Sequence, residues 1–326
     1  MTPWLDLFSS QVSIAGIAVF LALAIDVLLG EPRAGVHPVV WMGRYLDWAG
    51  KRIAPDAGAP HPGRSRKVFW QGAWAWIAGV LVVTAVAGFL QWTLAQLPWW
   101  ISCLGLGLLL KPLMAWHMLQ REVGEVEGAL GESLAAGRER LSWLCSRDVR
   151  QLSAIQVRES AIESLAENLN DSVVAPLFWF MLFGLPGAAL YRFANTADAM
   201  WGYIGPRSGR DWTWAGKWAA HADDILSWIP ARLTALLLAV TAGGLSFSML
   251  RVEALRTPSP NGGWPMAAMA LALDIRLGKP GVYSLHAQGS SPQPEDTKKA
   301  VLVARRVVIA VAVLGIAVSG VWRIVA

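Results

Sequence analysis

The stretch AIESLAENLNDSVVAPLFWF, residues 161–180, decides how the chain is read. Its first half carries Glu163, Glu167, Asn168, Asn170 and Asp171, and its second half is apolar and runs on into MLFGLPGAAL. Acids set against an apolar segment with no linker between them place a polar site at a membrane edge, where ionisable groups are costly and usually functional. On a helix, Glu163 and Glu167 share a face, with Asn170 and Asp171 one turn further along it. Such stacked carboxylates repel, and a cation or a basic partner relieves them. Mg2+ fits because it takes oxygen ligands, often one or two carboxylates plus substrate phosphates. An ordinary solvated helix face is the reading that periodicity alone leaves equally open.

The rest of the chain supports a membrane setting. Of 326 residues, 55% are hydrophobic and 16% charged, against about a quarter charged in soluble domains. Nineteen tryptophans suit a headgroup layer, where the indole body and its N–H are both satisfied. Apolar runs lie at 12–29, 69–90, 98–110, 173–190, 233–250 and 303–321. Spanning needs about 20 apolar residues, so the expected fold is an all-α polytopic integral membrane protein. It has four to six membrane-embedded helical segments, some re-entrant, and cytoplasmic helices. The whole of 1–326 is read as one membrane-embedded domain, with a helical cytoplasmic section at 111–172 and a polar section at 251–302.

The start of the chain carries Asp6 where a signal peptide would carry Lys or Arg, so no cleaved leader is expected. Cys103 and Cys145 make neither a disulfide framework nor a metal-ligand cluster. Net charge is +5, and the loop 30–67 is basic, which puts it in the cytoplasm by the positive-inside rule. No basic groove interleaved with aromatics accompanies it, so nucleic acid is not an expected partner.

Further polar groups flank the apolar runs. YRFANTADAMWGY (191–203) offers Arg192, Asn195 and Asp198, and a turn back at GLPG (184–187) would bring this set to the mouth of the first. HADDILSWIPARL (221–233) gives Asp223 and Asp224, with Arg232 at the head of the next apolar run. Arg232 is read as an interfacial anchor, with carboxylate or phosphate binding as the alternative. The turn at Ser259, Pro260, Asn261, Gly262 and Gly263, before Pro265, could present backbone N–H groups to an anion or simply start a helix. Lys111 and His117 follow the third run, and SRDVRQL (146–152) adds Arg147, Asp148 and Arg150.

Taken in order, DVLLGEPRAGVHPVVWMGR, KPLMAWH, SRDVRQL, AIESLAENLNDSVVAPLFW, YRFANTADAMWGY, ADDILSWIPARL and SPNGGWPMAAMALAL resemble the adenosylcobinamide-phosphate synthase family (CobD/CbiB) of cobalamin biosynthesis. The resemblance implies an integral membrane ligase that joins adenosylcobyric acid to aminopropanol phosphate, or aminopropanol, using ATP and Mg2+. On it, Glu163, Glu167, Asp171 and Asp198 are expected to hold Mg2+–ATP, and Lys111, Arg147 and Arg232 to neutralise phosphate oxygens. Asn168, Asn195, Asp148, Asp223, Asp224, Ser259, Asn261, Gly262, Gly263 and His117 are expected to contact substrate or nucleotide. Ser172, Leu271 and Lys279 depart from common residues of the family, which bears on substrate fit. The implied partners are the corrinoid, the amine and the bilayer, with a complex of other cobalamin-biosynthesis proteins left open.

ATP requires the active face to be cytoplasmic, at the inner membrane of the cell. If all six runs span, 191–227 lies outside, so turns at GLPG and at Gly243–Gly244 are expected to restore it to the inner side. A carrier for an anionic metabolite and a non-catalytic scaffold are the competing functions. The lack of an inverted repeat weighs against the carrier.

Overall fold

The computed structural model describes residues 3–58 and 65–325. Helix dominates, as apolar runs at a membrane demand, because each helix satisfies its own backbone donors and acceptors. In chain order the helices are α1 (Pro3–Leu29), α2 (Pro38–Ile53), α3 (Ser65–Ala95), α4 (Trp99–Leu110), α5 (Trp116–Glu132), α6 (Leu134–Leu141), α7 (Ala154–Leu169), α8 (Ala175–Trp201), α9 (Lys217–Thr241), α10 (Phe247–Ala254), α11 (Gly263–Leu273) and α12 (Pro294–Val325). Two short antiparallel ribbons pair β1 (Pro206–Arg207) with β2 (Arg210–Asp211), and β3 (Leu277–Lys279) with β4 (Tyr283–Leu285). Five helical stretches are long and apolar enough to cross a membrane: Ser65–Ala95, Trp99–Glu132, Ala154–Trp201, Lys217–Thr241 and Pro294–Gly320. The all-α membrane fold expected from the runs is the fold observed. The stretch APDAGAPHPG, residues 54–63, whose glycines and prolines read as an irregular loop, falls partly outside the described residues.

The chain divides into two compact units. The first comprises Met1–Met114, Ala175–Leu226 and Gly315–Ala326. Here α1 lies along α4 with both chains running the same way, and Gly107 lets the Ala18 and Leu21 turn approach closely. Gly16 donates its N–H to Ser319 Oγ at 2.9 Å. A Cβ at Gly16 would collide with the Gly315 carbonyl. Trp201, 1% exposed, ties α8 to α2 by donating Nε1–H to Leu46 O at 3.2 Å.

The bend expected at GLPG is present. Gly184 takes φ 64° and ψ −154°, a conformation open to glycine and little else, and splits α8 into two arms. A Cβ on Gly187 would strike the Trp179 carbonyl oxygen, whereas residues eight apart in a straight helix are about 12 Å apart. The chain therefore doubles back. Leu185 N–H, freed by the break, donates to Gln91 Oε1 at 2.6 Å, which supplies the cover that irregular backbone needs in an apolar setting.

The second unit comprises Ala115–Val174 and Ser227–Leu314. Its core joins Val126, Leu141, Val149, Leu152 and Val157, drawn from α5, α6, the segment before α7 and the start of α7. A capping box between Ser153 and Gln156 starts α7, and such a cap contributes on the order of 1 kcal/mol. Helix α7 leads into a π-turn, Asn170–Val174, which is the LNDSVV part of the opening stretch. The apolar run 233–250 is not one helix. Its helix begins upstream at Lys217 and stops at Thr241, because Gly243 and Gly244 adopt φ of 93° and 107° and reverse the chain. Arg232 thus stands inside a helix and not at its head.

Candidate functional site

Helix α7 carries Glu159, Glu163 and Glu167 at intervals of four, one face of three acids, and the fold relieves their repulsion with basic partners. Arg147 Nη2 pairs with Glu163 Oε2 at 3.1 Å, and Arg147 Nη1 donates to Ser160 Oγ at 2.9 Å. Glu163 is 1% exposed, so this is a buried charge pair. Burial alone would weaken the guanidinium's hold on its proton, but the Glu163 charge and hydrogen bond outweigh it and raise the Arg147 pKa. Arg276 Nε meets Glu159 Oε1 at 3.4 Å. The Tyr283 hydroxyl donates to Met266 Sδ at 3.8 Å, and its pKa is pushed up by burial first and by the Glu163 carboxylate second, so it stays neutral.

Beside this face a cavity of about 540 Å³ is lined by Gln156, Glu159, Arg276, Lys279, Tyr283 and the β3–β4 turn. Such a volume and polar lining suit a small charged molecule.

One turn along, Glu167 faces the Ser-Pro-Asn turn. A Cβ on Gly262 would stand 3.0 Å from Glu167 Oε1, so the absence of a side chain there makes room for the carboxylate. Gly263 is a glycine for a different reason, since a Cβ would meet the Ala254 carbonyl oxygen. The phosphate cradle expected of this turn is altered: Ser259 Oγ itself accepts the N–H groups of Asn261 (3.2 Å) and Gly262 (3.0 Å). Those two donors are spent on the turn. Arg232 is likewise committed. Its Nη1 donates to Asn261 Oδ1 at 2.7 Å and its Nη2 to Pro260 O at 3.0 Å, with Trp228 and Trp264 rings 4.5 and 4.9 Å from the guanidinium carbon. These bonds clamp the turn that faces Glu167.

The π-turn is held by a second network. Thr234 Oγ1 donates to Asn170 Oδ1 at 3.0 Å, and Asn170 Nδ2 donates to Asp171 Oδ1 at 2.7 Å. Ala115 N–H donates to Ser172 O at 3.0 Å, where α5 begins with half-buried His117 in its first turn. Asn168 turns back to its own helix, donating to Ser164 O at 2.9 Å. Asp148 is exposed and bound to Arg150, whose side-chain and backbone donors lower its pKa to about 2. It shapes its own loop.

Other expected site residues belong to the first unit. Asn195 donates to Asp223 Oδ1 at 3.4 Å, with Asp224 next to it and Asp198 in the last turn of α8. Lys111 is 3% exposed and pairs with Asp26 at 3.3 Å and Glu31 at 2.8 Å, so in this structure its charge is answered by carboxylates. Among the described residues no group of three or more His, Cys, Asp or Glu is placed to hold a metal ion. A four-acid metal cage is therefore not preformed, and Glu163 is bound to arginine. Glu167 and Asp171 are partly accessible carboxylates of this unit, an oxygen ligand type that Mg2+ takes.

Glu159, Arg276, Tyr283, Asp26 and Glu31 are site or ion-pair residues that the sequence reading did not single out. The spacing from Glu163 could have found Glu159. The others are joined to their partners only by the fold.

A family model described as CobD/Cbib protein matches residues 19–313. The chain is 41% identical over 286 residues to the probable cobalamin biosynthesis protein CobD of Methanothermobacter thermautotrophicus, covering 85% of this chain and 87% of that protein. It is 40% identical to the protein of the same description in Pyrococcus abyssi, over 88% of this chain and 91% of that one. It is 38% identical to cobalamin biosynthesis protein CobD of Chromobacterium violaceum, over 89% and 92%. No solved structure matches the chain. With its membrane-spanning helices and acidic α7 face in place, the chain belongs to the CobD/CbiB family of cobalamin biosynthesis proteins.

Proposed function

We propose that the protein is an ATP-dependent acid–amine ligase that joins adenosylcobyric acid to aminopropanol phosphate, or to aminopropanol, in the inner membrane with its active face toward the cytoplasm. The observation that carries this reading is the α7 face of the second unit, where Glu167 stands against a turn that Arg232 holds in shape. A carboxylate is a poor acyl donor, so amide formation needs it activated. In the proposed sequence a substrate carboxylate oxygen attacks the terminal phosphorus of ATP, and the bond to ADP breaks. The amine then attacks the acyl carbon, the carbon–oxygen bond to phosphate breaks, and the amine proton leaves with phosphate.

Such a reaction depends on positioning and on stabilising charge. Glu167 and Asp171 would hold Mg2+, which when bound offsets charge on the transferring phosphoryl group. Lys279 and Arg276, lining the polar cavity, supply positive charge for an anionic substrate group. Asn195, Asp198, Asp223 and Asp224 remain proposed substrate contacts of the first unit. Docking to other cobalamin-biosynthesis proteins is compatible with this reading.

The test is purified protein in bilayer discs with adenosylcobyric acid, aminopropanol phosphate, ATP and Mg2+, compared with Glu167→Gln. Amide product from the native protein that falls at least tenfold in the variant, about 1.4 kcal/mol of barrier, is the expected result. Equal product from both removes Glu167, and no product from either favours a carrier or a scaffold.

A further inference from the structure

The polar cavity beside α7, of about 540 Å³, lies within the second unit and is built from two directions. From α7 and its cap come Ser153, Gln156 and Glu159, and from the β3–β4 ribbon come Lys279 and Tyr283, with Arg276 just ahead of β3. The ribbon fixes where its cation stands. Lys279 pairs with Tyr283 across the ladder, Val282 donates its N–H to Lys279 O at 3.0 Å, and Pro280 with Gly281 at φ 72° closes a tight turn. Arg276 is anchored through its backbone, whose N–H donates to Ser290 O at 2.8 Å.

Charge in the lining favours an anion. Arg276 Nε meets Glu159 Oε1 at 3.4 Å and its Nη2 donates to Ser291 Oγ at 3.2 Å, which leaves further N–H groups on the guanidinium. The Arg276 side chain is 42% exposed, so those groups are within reach of a ligand. Lys279 is exposed, and its ammonium makes no ion pair or hydrogen bond among the described residues. Glu163, one turn along α7 from Glu159, is answered by Arg147. The lining therefore sets two cations against one carboxylate. Helix α7 begins at this cavity, and the positive end of its dipole adds charge of the same sign.

Size and donors narrow the choice of anion. A cavity of this volume takes a small molecule and not a corrinoid. A phosphate monoester carries close to two negative charges at neutral pH and three acceptor oxygens, enough to engage an arginine fork and an ammonium together. An amino alcohol without its phosphate offers these cations nothing, because its amine is itself cationic. Glu167 lies about 12 Å along α7 from Glu159, so an amine tethered to a phosphate here stays on the helix face that carries Glu167.

We propose that this cavity seats the phosphate of aminopropanol phosphate, and that Lys279 and Arg276 are the residues that select the phosphorylated amine over the free one. The assignment rests on the ligase reading for the identity of the amine.

The test compares native protein, Lys279→Gln and Lys279→Arg in bilayer discs, with adenosylcobyric acid, ATP and Mg2+ fixed and either amine varied. The ratio of kcat/KM for aminopropanol phosphate to that for aminopropanol should fall about tenfold in Lys279→Gln, the size of one lost charge-assisted hydrogen bond. The fall should come through KM for the phosphorylated amine and not through kcat. Lys279→Arg keeps the charge and should keep most of the ratio. Binding of each amine, measured by calorimetry without ATP or corrinoid, separates this assignment from the ligase reading. Tighter binding of aminopropanol phosphate than of aminopropanol, abolished by Lys279→Gln, upholds the cavity even if no amide forms. A ratio unchanged in Lys279→Gln, an equal loss in Lys279→Arg, native protein that binds both amines alike, or displacement of bound aminopropanol phosphate by ATP overturns the assignment.

Discussion

Arg147→Met tests the buried ion pair most sharply. It removes the guanidinium while keeping much of the stem, and leaves Glu163, 1% exposed, without its cation. The Arg147 side chain is itself only 17% exposed, so solvent does little to substitute for it. Breaking a buried pair on one side costs about 3–5 kcal/mol, because the remaining charge stays buried and uncompensated. The Ser160 hydroxyl also loses its donor, roughly another 1 kcal/mol. Glu163→Gln keeps the shape and removes the stranded charge, so the double variant should recover part of the loss, with a coupling of about 1–3 kcal/mol. Unfolding of the four proteins in detergent, followed by tryptophan fluorescence, gives the cycle. Single losses below about 0.5 kcal/mol that simply add would show the pair to be solvated, and would refute the claim that Arg147 answers the buried Glu163 charge.

Four other outcomes are expected. Gly262→Val puts a side chain onto Glu167 Oε1, so ligase turnover should collapse while the unfolding midpoint barely moves; normal turnover would separate the turn from the site. Gly184→Ala must hold φ 64° against Gln91 and should cost roughly 1–3 kcal/mol, visible as a lowered midpoint; an unchanged midpoint would mean the bend is not strained for alanine. Burial raises the Cys145 pKa, so in a Cys103→Ser background maleimide labelling should be slow at neutral pH and accelerate only above the ordinary thiol range, whereas labelling as fast as a free thiol near pH 7 would contradict the burial. A cysteine at position 198 should be shielded from impermeant thiol reagent added at the periplasmic face, and rapid labelling there would place that set on the wrong side for ATP.

The membrane class was legible because it rests on counts and run lengths, and the bend at GLPG because glycine and proline act locally. The turn expected at Gly243–Gly244 is where the helix stops, at Thr241, but hydropathy does not register that this helix begins upstream of the apolar run, at Lys217. The acids of α7 were legible from their spacing, but their partners were not. Arg147 is sixteen residues from Glu163, and Arg276 is 117 from Glu159. Periodicity says that a cation is needed and cannot say which one. Lys111 shows the same limit in reverse, since a juxtamembrane lysine reads alike whether it meets solvent, phosphate or, as here, Asp26 and Glu31.

The central claim, that the substrate carboxylate is activated by phosphoryl transfer from ATP, is tested most directly by following its oxygen. Adenosylcobyric acid labelled with heavy oxygen in the reacting carboxylate is turned over with ATP, Mg2+ and the amine, and the phosphate released is analysed by mass spectrometry. The account predicts one labelled oxygen in each inorganic phosphate formed. Label appearing in AMP, or amide forming with unlabelled phosphate, would contradict it.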